Sequence, residues 1–255
     1  MTQPDLSIVP SPAAVSDAAA AFIVERLADA VRERGVAHWC TTGGSSAPGI
    51  YRALRTSPLR ERLDWSRVHT WWGDDRFVPA DDPLSNVLPL ATILREPGAG
   101  LAVPDGNVHP VPVAAVRARG GGPAEAAAAY AAELEAAGPA TGALGVPVFD
   151  LVILGVGPDG HILSVFPGSA VFDSAAWVES VPAPTHVEPH VPRVTIHPRL
   201  VEAARAVLVA TAGAGKADVL AAAWAGGDPR ELPLRATLAA NATWLVDEAA
   251  AAGLR

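Results

Sequence analysis

A histidine closes a glycine-rich turn. His161 follows Gly155-Val156-Gly157-Pro158-Asp159-Gly160, and imidazole is the side chain that exchanges a proton near neutral pH. Two carboxylates are candidates to orient it, Asp159 in the same turn and Asp74 in a second one, and the sequence leaves the choice open. Asp74-Asp75-Arg76 follows an apolar run ending at Trp72. Two further turns supply hydroxyls, glycines and a cation: Thr42-Gly43-Gly44-Ser45-Ser46, and Thr211-Ala212-Gly213-Ala214-Gly215-Lys216. Glycine turns at helix starts present N–H groups to an anion, and a lysine there adds a point charge. With Arg193, these residues describe proton transfer beside an anion-binding surface.

Several familiar motifs are approached and missed. Gly155-x-Gly157-x-x-Gly160 has the spacing of the dinucleotide fingerprint, with Glu179 further on as an acidic residue. That fingerprint requires a long helix opening in the turn, and Pro167-Gly168 would cut such a helix short. Thr211–Lys216 resembles a P-loop, but Ala210 replaces the first glycine and Ala217 the magnesium-binding hydroxyl. Ala47 excludes a nucleophile elbow at Ser45-Ser46. His186-x-x-x-His190 has metal-like spacing, which joins two ligands only on a helix. Pro182, Pro184, Pro189 and Pro192 argue for a loop with two exposed histidines. No metal and no nucleotide cofactor are expected.

The elements that must position these groups read as alternating helices and strands. Residues 14–34 carry an amphipathic helical pattern stopped by Gly35. Strands are predicted at 36–41, 67–72, 149–154, 193–196, 206–211 and 243–246, with 149–154 as a buried central strand. Helices are predicted at 48–55, from a cap at 81–86 to about 96, at 123–137, at 198–205, from 217 to 224, and at 247–254. Residues 97–123 read as a Gly- and Pro-rich surface connection with an extended piece near 108–113, and the chain after Ser169 as irregular. The fold class is α/β: a doubly wound, mostly parallel sheet with helices on both faces. In such a sheet the turns after residues 41, 72, 154 and 211 share one edge, where ligands bind.

Length and composition set the remaining expectations. The 255 residues suit a single domain spanning 1–255. A net charge of −8 argues against a nucleic-acid partner. Cys40 is the only cysteine, which excludes an internal disulfide and a thiolate metal cluster. The N-terminus lacks a basic region followed by an apolar core, and no run of eighteen apolar residues spans a membrane. A cytoplasmic monomer without membrane or nucleic-acid partners is expected.

Taken together, these segments resemble the 6-phosphogluconolactonase family. The matching residues are Gly43-Gly44-Ser45-Ser46, Trp72-Gly73-Asp74-Asp75-Arg76-Phe77-Val78-Pro79 with Ser85-Asn86, and Asn107-Val108-His109. The match continues in Gly155-x-Gly157-x-Asp159-Gly160-His161-x-x-Ser164-x-Phe166-Pro167-Gly168, Arg193-x-Thr195 and Lys216. The order is preserved over nearly the whole chain, and Asp-Gly-His through Phe-Pro-Gly is the most specific part. The sequence departs from the family pattern at Ser46-Ala47-Pro48, at Asp75 in place of Glu, and at Ile162-Leu163 in place of Thr-Ala. The resemblance implies hydrolysis of a sugar-phosphate lactone in the oxidative pentose phosphate pathway, without cofactor. It implies His161 as general base, Asp159 or Asp74 as its orienting carboxylate, and Arg76 on the sugar or the oxyanion. Gly43, Gly44, Ser45, Arg193 and Lys216 would then hold the phosphate. The sister activity, glucosamine-6-phosphate isomerase/deaminase, is disfavoured by Phe166-Pro167-Gly168. A non-catalytic sugar-phosphate sensor is disfavoured by the retained histidine and by the lack of length for an attached DNA-binding module.

Overall fold

A computed structural model of the chain describes residues 3–56, 58–96, 98, 100–239 and 241–254. Met1 and Thr2, read above for a leader, and residues 97 and 99 of the predicted surface connection lie outside the described residues. The elements in the first half are β1 (Asp5–Val9), α1 (Pro12–Arg34), β2 (Ala37–Thr41), α2 (Ala47–Leu54), β3 (Val68–Trp72), β4 (Asp74–Arg76), β5 (Val108–His109), α3 (Val113–Ala118) and α4 (Pro123–Ala137). The second half adds β6 (Leu151–Leu154), β7 (Val178–Val181), β8 (Arg193–Ile196), α5 (Pro198–Ala203), β9 (Val207–Thr211), α6 (Ala217–Trp224) and β10 (Ala242–Asp247).

Seven strands form one sheet in the order β1-β10-β9-β6-β2-β3-β5, and every pairing within it is parallel. β6, the strand that leads to His161, is the middle one. Alternate residues of its short apolar run face opposite layers: Leu151 and Ile153 join the core under α1 and α2, whereas Val152 and Leu154 join the core under α4 and α6. Burial on both faces explains why the strand reads as a continuous hydrophobic run rather than an alternation.

Helix boundaries follow local chemistry. Ser11 caps α1 by accepting from the Ala14 N–H, Pro12 occupies its first turn, and Gly35 ends it at φ 77°. α4 docks on the sheet through Tyr130. Its hydroxyl accepts from Trp72 N at 2.9 Å and donates to Trp72 O at 3.0 Å, with the ring fully enclosed.

The structure corrects the sequence reading in several places. The helix predicted at 247–254 is not formed, because β10 runs to Asp247 and only a short tight turn at Ala250–Gly253 follows. β1 pairs with β10, although residues 5–9 carry too short and mixed a pattern to stand out. The helix predicted from 81–86 to 96 reduces to a single wide turn at Leu90–Leu94. Pro83 and Pro89 interrupt it, and the Ser85 and Asn86 groups are used elsewhere. The chain after Ser169 contains β7, which builds a second, antiparallel sheet in the order β4-β8-β7. The extended piece near 108–113 stops at His109, and Val113 opens α3.

Tyr130→Phe should leave the Trp72 N–H and carbonyl without their hydroxyl partner. Buried groups stranded in this way cost roughly 1–3 kcal/mol. The urea midpoint should fall accordingly at unchanged m-value.

Candidate active site

The turns after β2, β3, β6 and β9 converge at the carboxyl edge of the parallel sheet around a cavity of about 310 Å³. Gly43, Gly44, Ser45, Asp74, Arg76, His161, Arg193 and Lys216 all line it. Asp159 stands behind the histidine rather than on the cavity wall.

The first turn is held by Tyr51, whose hydroxyl donates to Thr42 O at 2.9 Å and meets Thr41 Oγ1 at 2.7 Å. Gly43 admits the Asn86 side chain into the space a Cβ would occupy. The second turn, expected as a loop, is the short strand β4, hydrogen-bonded to β8 so that Arg76 faces Arg193 and Asp74 faces Thr195. Its carboxylates are enclosed, Asp74 5% and Asp75 2% exposed. Asp75 accepts from Arg76 N at 2.8 Å, Asn86 N at 2.7 Å and Ser85 Oγ at 3.1 Å. Burial pushes its carboxyl up to about 7 against the pull of these donors. Asp74 accepts from Ser164 Oγ at 2.6 Å and from Asn86 Nδ2 at 3.3 Å. Asp74 therefore ties the second turn to the histidine loop, and its hydrogen bonds go to these two residues.

The imidazole is met by Asp159. Asp159 Oδ1 lies 2.5 Å from His161 Nδ1 and 3.2 Å from His161 N. Burial works to raise this carboxyl, but hydrogen bonds and charge from His161, with a second hydrogen bond from His186, outweigh it and hold Asp159 well below the usual carboxylate range. The turn closes through Gly157 N to His161 O at 2.9 Å and Gly160 N to Gly157 O at 3.1 Å. Gly160 adopts φ 79°, and a Cβ on Gly157 would fall within 2.0 Å of the imidazole. No helix follows; residues 161–169 turn back on themselves, with an isolated bridge between Ile162 and Val165. Leu163 sits at φ 57°, unusual for a branched side chain, and packs against Gly73. The missing threonine after His161 leaves the ring's orientation to Asp159 and to Phe166, whose ring centroid is 4.6 Å away.

Three cations face the cavity. Arg193 is 2% exposed, lies 5.3 Å from the Phe166 centroid, and donates to Pro189 O at 3.1 Å. Burial lowers its pKa, and its Nε has no hydrogen-bond acceptor among the described residues. Arg76 donates to Leu84 O at 2.6 Å, and its Nε is likewise unpartnered. Lys216 donates to Val156 O at 2.8 Å, leaving two of its three donors for a ligand; burial lowers its pKa too. Its turn uses Gly213 at φ 97°, whose N–H donates to Asp247 Oδ1 at 2.9 Å. Enclosed donors without acceptors beside a glycine turn suit a multiply charged anion.

Ser164, Asn86 and Phe166 carry no role in the sequence analysis, and the expected loop with two exposed histidines is found at His186 and His190. Although exposed, His186 places its Nε2 2.9 Å from Asp159 Oδ2, a contact its spacing does not announce. His190 Nδ1 meets Pro184 O of its own loop at 2.6 Å, so the two histidines do not converge. Among the described residues no group of three His, Cys, Asp or Glu side chains is placed to hold a metal ion, and no helix is long and apolar enough to cross a membrane.

Comparison with known proteins places this geometry. The sequence model of the family described as glucosamine-6-phosphate isomerases/6-phosphogluconolactonase matches residues 10–246. A 6-phosphogluconolactonase of Streptomyces coelicolor is 36% identical over 244 residues, 94% of this chain and 90% of that protein. One from Mycobacterium tuberculosis is 36% identical over 251 residues, 98% of each chain. The solved structure of 6-phosphogluconolactonase from Trypanosoma brucei superposes at a TM-score of 0.86 with 28% identity, covering 100% of both chains.

The enclosed carboxyl of Asp75 generates a pH dependence. Its folded value, about 7, lies above the ordinary ~3.9, so the folded state holds the proton more tightly. Stability from this group is complete below pH ~4 and declines as pH rises towards 7, by up to about 1.4 kcal/mol per unit. Urea titrations of wild type and Asp75→Asn should therefore diverge in favour of the variant across that window and run parallel above it.

Proposed function

The chain belongs to the glucosamine-6-phosphate isomerase/6-phosphogluconolactonase family as a lactone-hydrolysing enzyme, and we propose that its substrate is 6-phospho-D-glucono-1,5-lactone, with His161 as general base. The observation that carries the assignment of the base is the 2.5 Å contact between His161 Nδ1 and Asp159 on the wall of a cavity that also holds Arg76, Arg193 and Lys216. With Nδ1 committed to the carboxylate, Nε2 is the nitrogen left for water.

A δ-lactone is an activated ester, so little beyond a positioned water and relief of developing charge is required. Neutral His161 takes a proton from water at Nε2 as the water oxygen bonds to the lactone carbonyl carbon. The negative charge that grows on the carbonyl oxygen falls within the field of Arg76. When the ring C–O bond breaks, the imidazolium returns the proton to the departing ring oxygen. The product is 6-phospho-D-gluconate, and one water has been consumed. Asp159 holds the ring in the tautomer that leaves Nε2 free and stabilises the transient imidazolium, as in other carboxylate-oriented histidines. The Gly43-Gly44-Ser45 turn, Arg193 and Lys216 hold the phosphate, the guanidinium as a fork and the ammonium as a point charge. The same reading takes the chain as one domain, active as a monomer in the cytoplasm, at the lactone-hydrolysing step of the oxidative pentose phosphate pathway.

His161→Ala should lower kcat for lactone hydrolysis by about 10²–10⁴-fold while KM changes little. The assay follows acid release from freshly generated lactone above the spontaneous rate, beside a parallel assay for ammonia from glucosamine 6-phosphate. Acid release that survives in the variant removes His161 as base, and ammonia without acid moves the chain to the deaminase activity. Arg193→Lys keeps the charge but loses the fork, and should chiefly raise KM, by about tenfold; an unchanged KM takes Arg193 out of the phosphate site.

A further inference from the structure

The carboxylate behind His161 is shared. Asp159 gives Oδ1 to the His161 ring and backbone, and its Oδ2 lies 2.9 Å from Nε2 of His186. His186 arrives from 27 residues along the chain, in the proline-rich stretch before β8. That loop is pinned rather than free. His190 Nδ1 meets Pro184 O at 2.6 Å, Val191 N donates to Pro189 O at 2.9 Å, and Arg193 Nη2 donates to the same carbonyl at 3.1 Å. Val187 and Glu188 form part of the cavity wall. Phe166 joins the pieces: His161 packs on its ring at 4.6 Å, His186 meets it edge-on at 5.5 Å, and the Arg193 guanidinium lies 5.3 Å from its centroid.

An aspartate so close to an imidazole has two effects that oppose each other in a general base. It fixes the tautomer, but it also favours the protonated ring, which cannot accept a proton. A second donor on the other carboxylate oxygen addresses both. It stops the carboxyl from rotating about its soft terminal torsion, and it draws off part of the charge that would hold the imidazolium.

Resting on the proposed lactonase reading, we propose that His186 is a positioning residue for the reaction: by donating Nε2–H to Asp159 it locks the carboxylate that orients His161 and draws off part of the charge that carboxylate presents to the ring. The ionisable groups around this pair are His161 in the β6 turn, Arg193 on β8 and Lys216 in the β9 turn, the last two within the field of Asp159, with Glu188 of the same loop on the cavity wall. His186 has 54% of its side chain exposed, so water dilutes its influence and the effect is modest.

The test compares His186→Phe, which keeps a ring against Phe166 but cannot donate, with His186→Gln, which keeps an N–H donor. In the full chain, the His161 ring is followed by NMR through a pH titration, its resonance identified by its absence in His161→Ala. In His186→Phe the His161 midpoint should rise by about half a pH unit, and in His186→Gln it should stay within about 0.2 of wild type. The acid limb of kcat/KM for lactone hydrolysis should move to higher pH in the same order, with KM changed less than about twofold. A midpoint that stays or falls in His186→Phe overturns the proposal, as does an equal shift in both variants, which would assign His186 to loop packing alone. The titration needs no substrate. A wild-type protein without lactonase activity would therefore count against the proposed reaction and still leave the role of His186 decided by the resonance.

Discussion

Two adjacent carboxylates are enclosed at the end of β3, and the loops around the cavity are arranged to meet them. A buried carboxylate without donors is too costly to keep ionised. Asp75 is supplied by two backbone N–H groups and the Ser85 hydroxyl, and Asp74 by Ser164 and Asn86. Satisfying them draws residues 84–86 across the first turn, close enough that only a glycine fits at position 43. It also anchors the histidine loop at Ser164, three residues beyond His161. The same pairing adds to Pro83 and Pro89 in keeping residues 81–89 from forming a helix, since the Ser85 hydroxyl and the Asn86 N–H are committed to Asp75.

The parallel sheet decides where this can happen. Both of its faces are covered, so the two cores consume the apolar residues of β6 alternately and leave only the strand ends for polar groups. The small antiparallel sheet then adds a wall. By pairing β4 with β8 it sets Arg193 beside Arg76, two guanidiniums whose mutual repulsion is offset by Asp74 and Asp159 nearby. Phe166 provides the flat surface on which His161 and Arg193 are both seated. The imidazole and one guanidinium of the cavity wall are thus set by one aromatic ring.

The division of labour between the carboxylates follows from distance. Asp159 touches the imidazole, whereas Asp74 and Asp75 hold the scaffold. The short Asp75 side chain is reached directly by the Arg76 and Asn86 backbone N–H groups.

The amino-acid sequence by itself determined the α/β class, the strands that feed the site and the four turns that compose it. Those features depend on neighbours in the chain: an apolar run too short for a helix, then glycines or charges, with His161 and Asp159 only two residues apart. Tertiary structure alone decided which carboxylate faces the ring, because Asp74 finds its donor in Ser164, 90 residues away. It also decided that the Ser85 hydroxyl and the Asn86 N–H serve Asp75, and that β1 and β7 exist at all, each being weak locally and completed by pairing with β10 or β8. His186 belongs to the same class. Nothing in its spacing announces a contact with Asp159, since the contact arises only when the loop folds onto Phe166. Local propensity is written residue by residue, whereas the partner of a buried charge is chosen by whatever the fold brings within hydrogen-bonding reach.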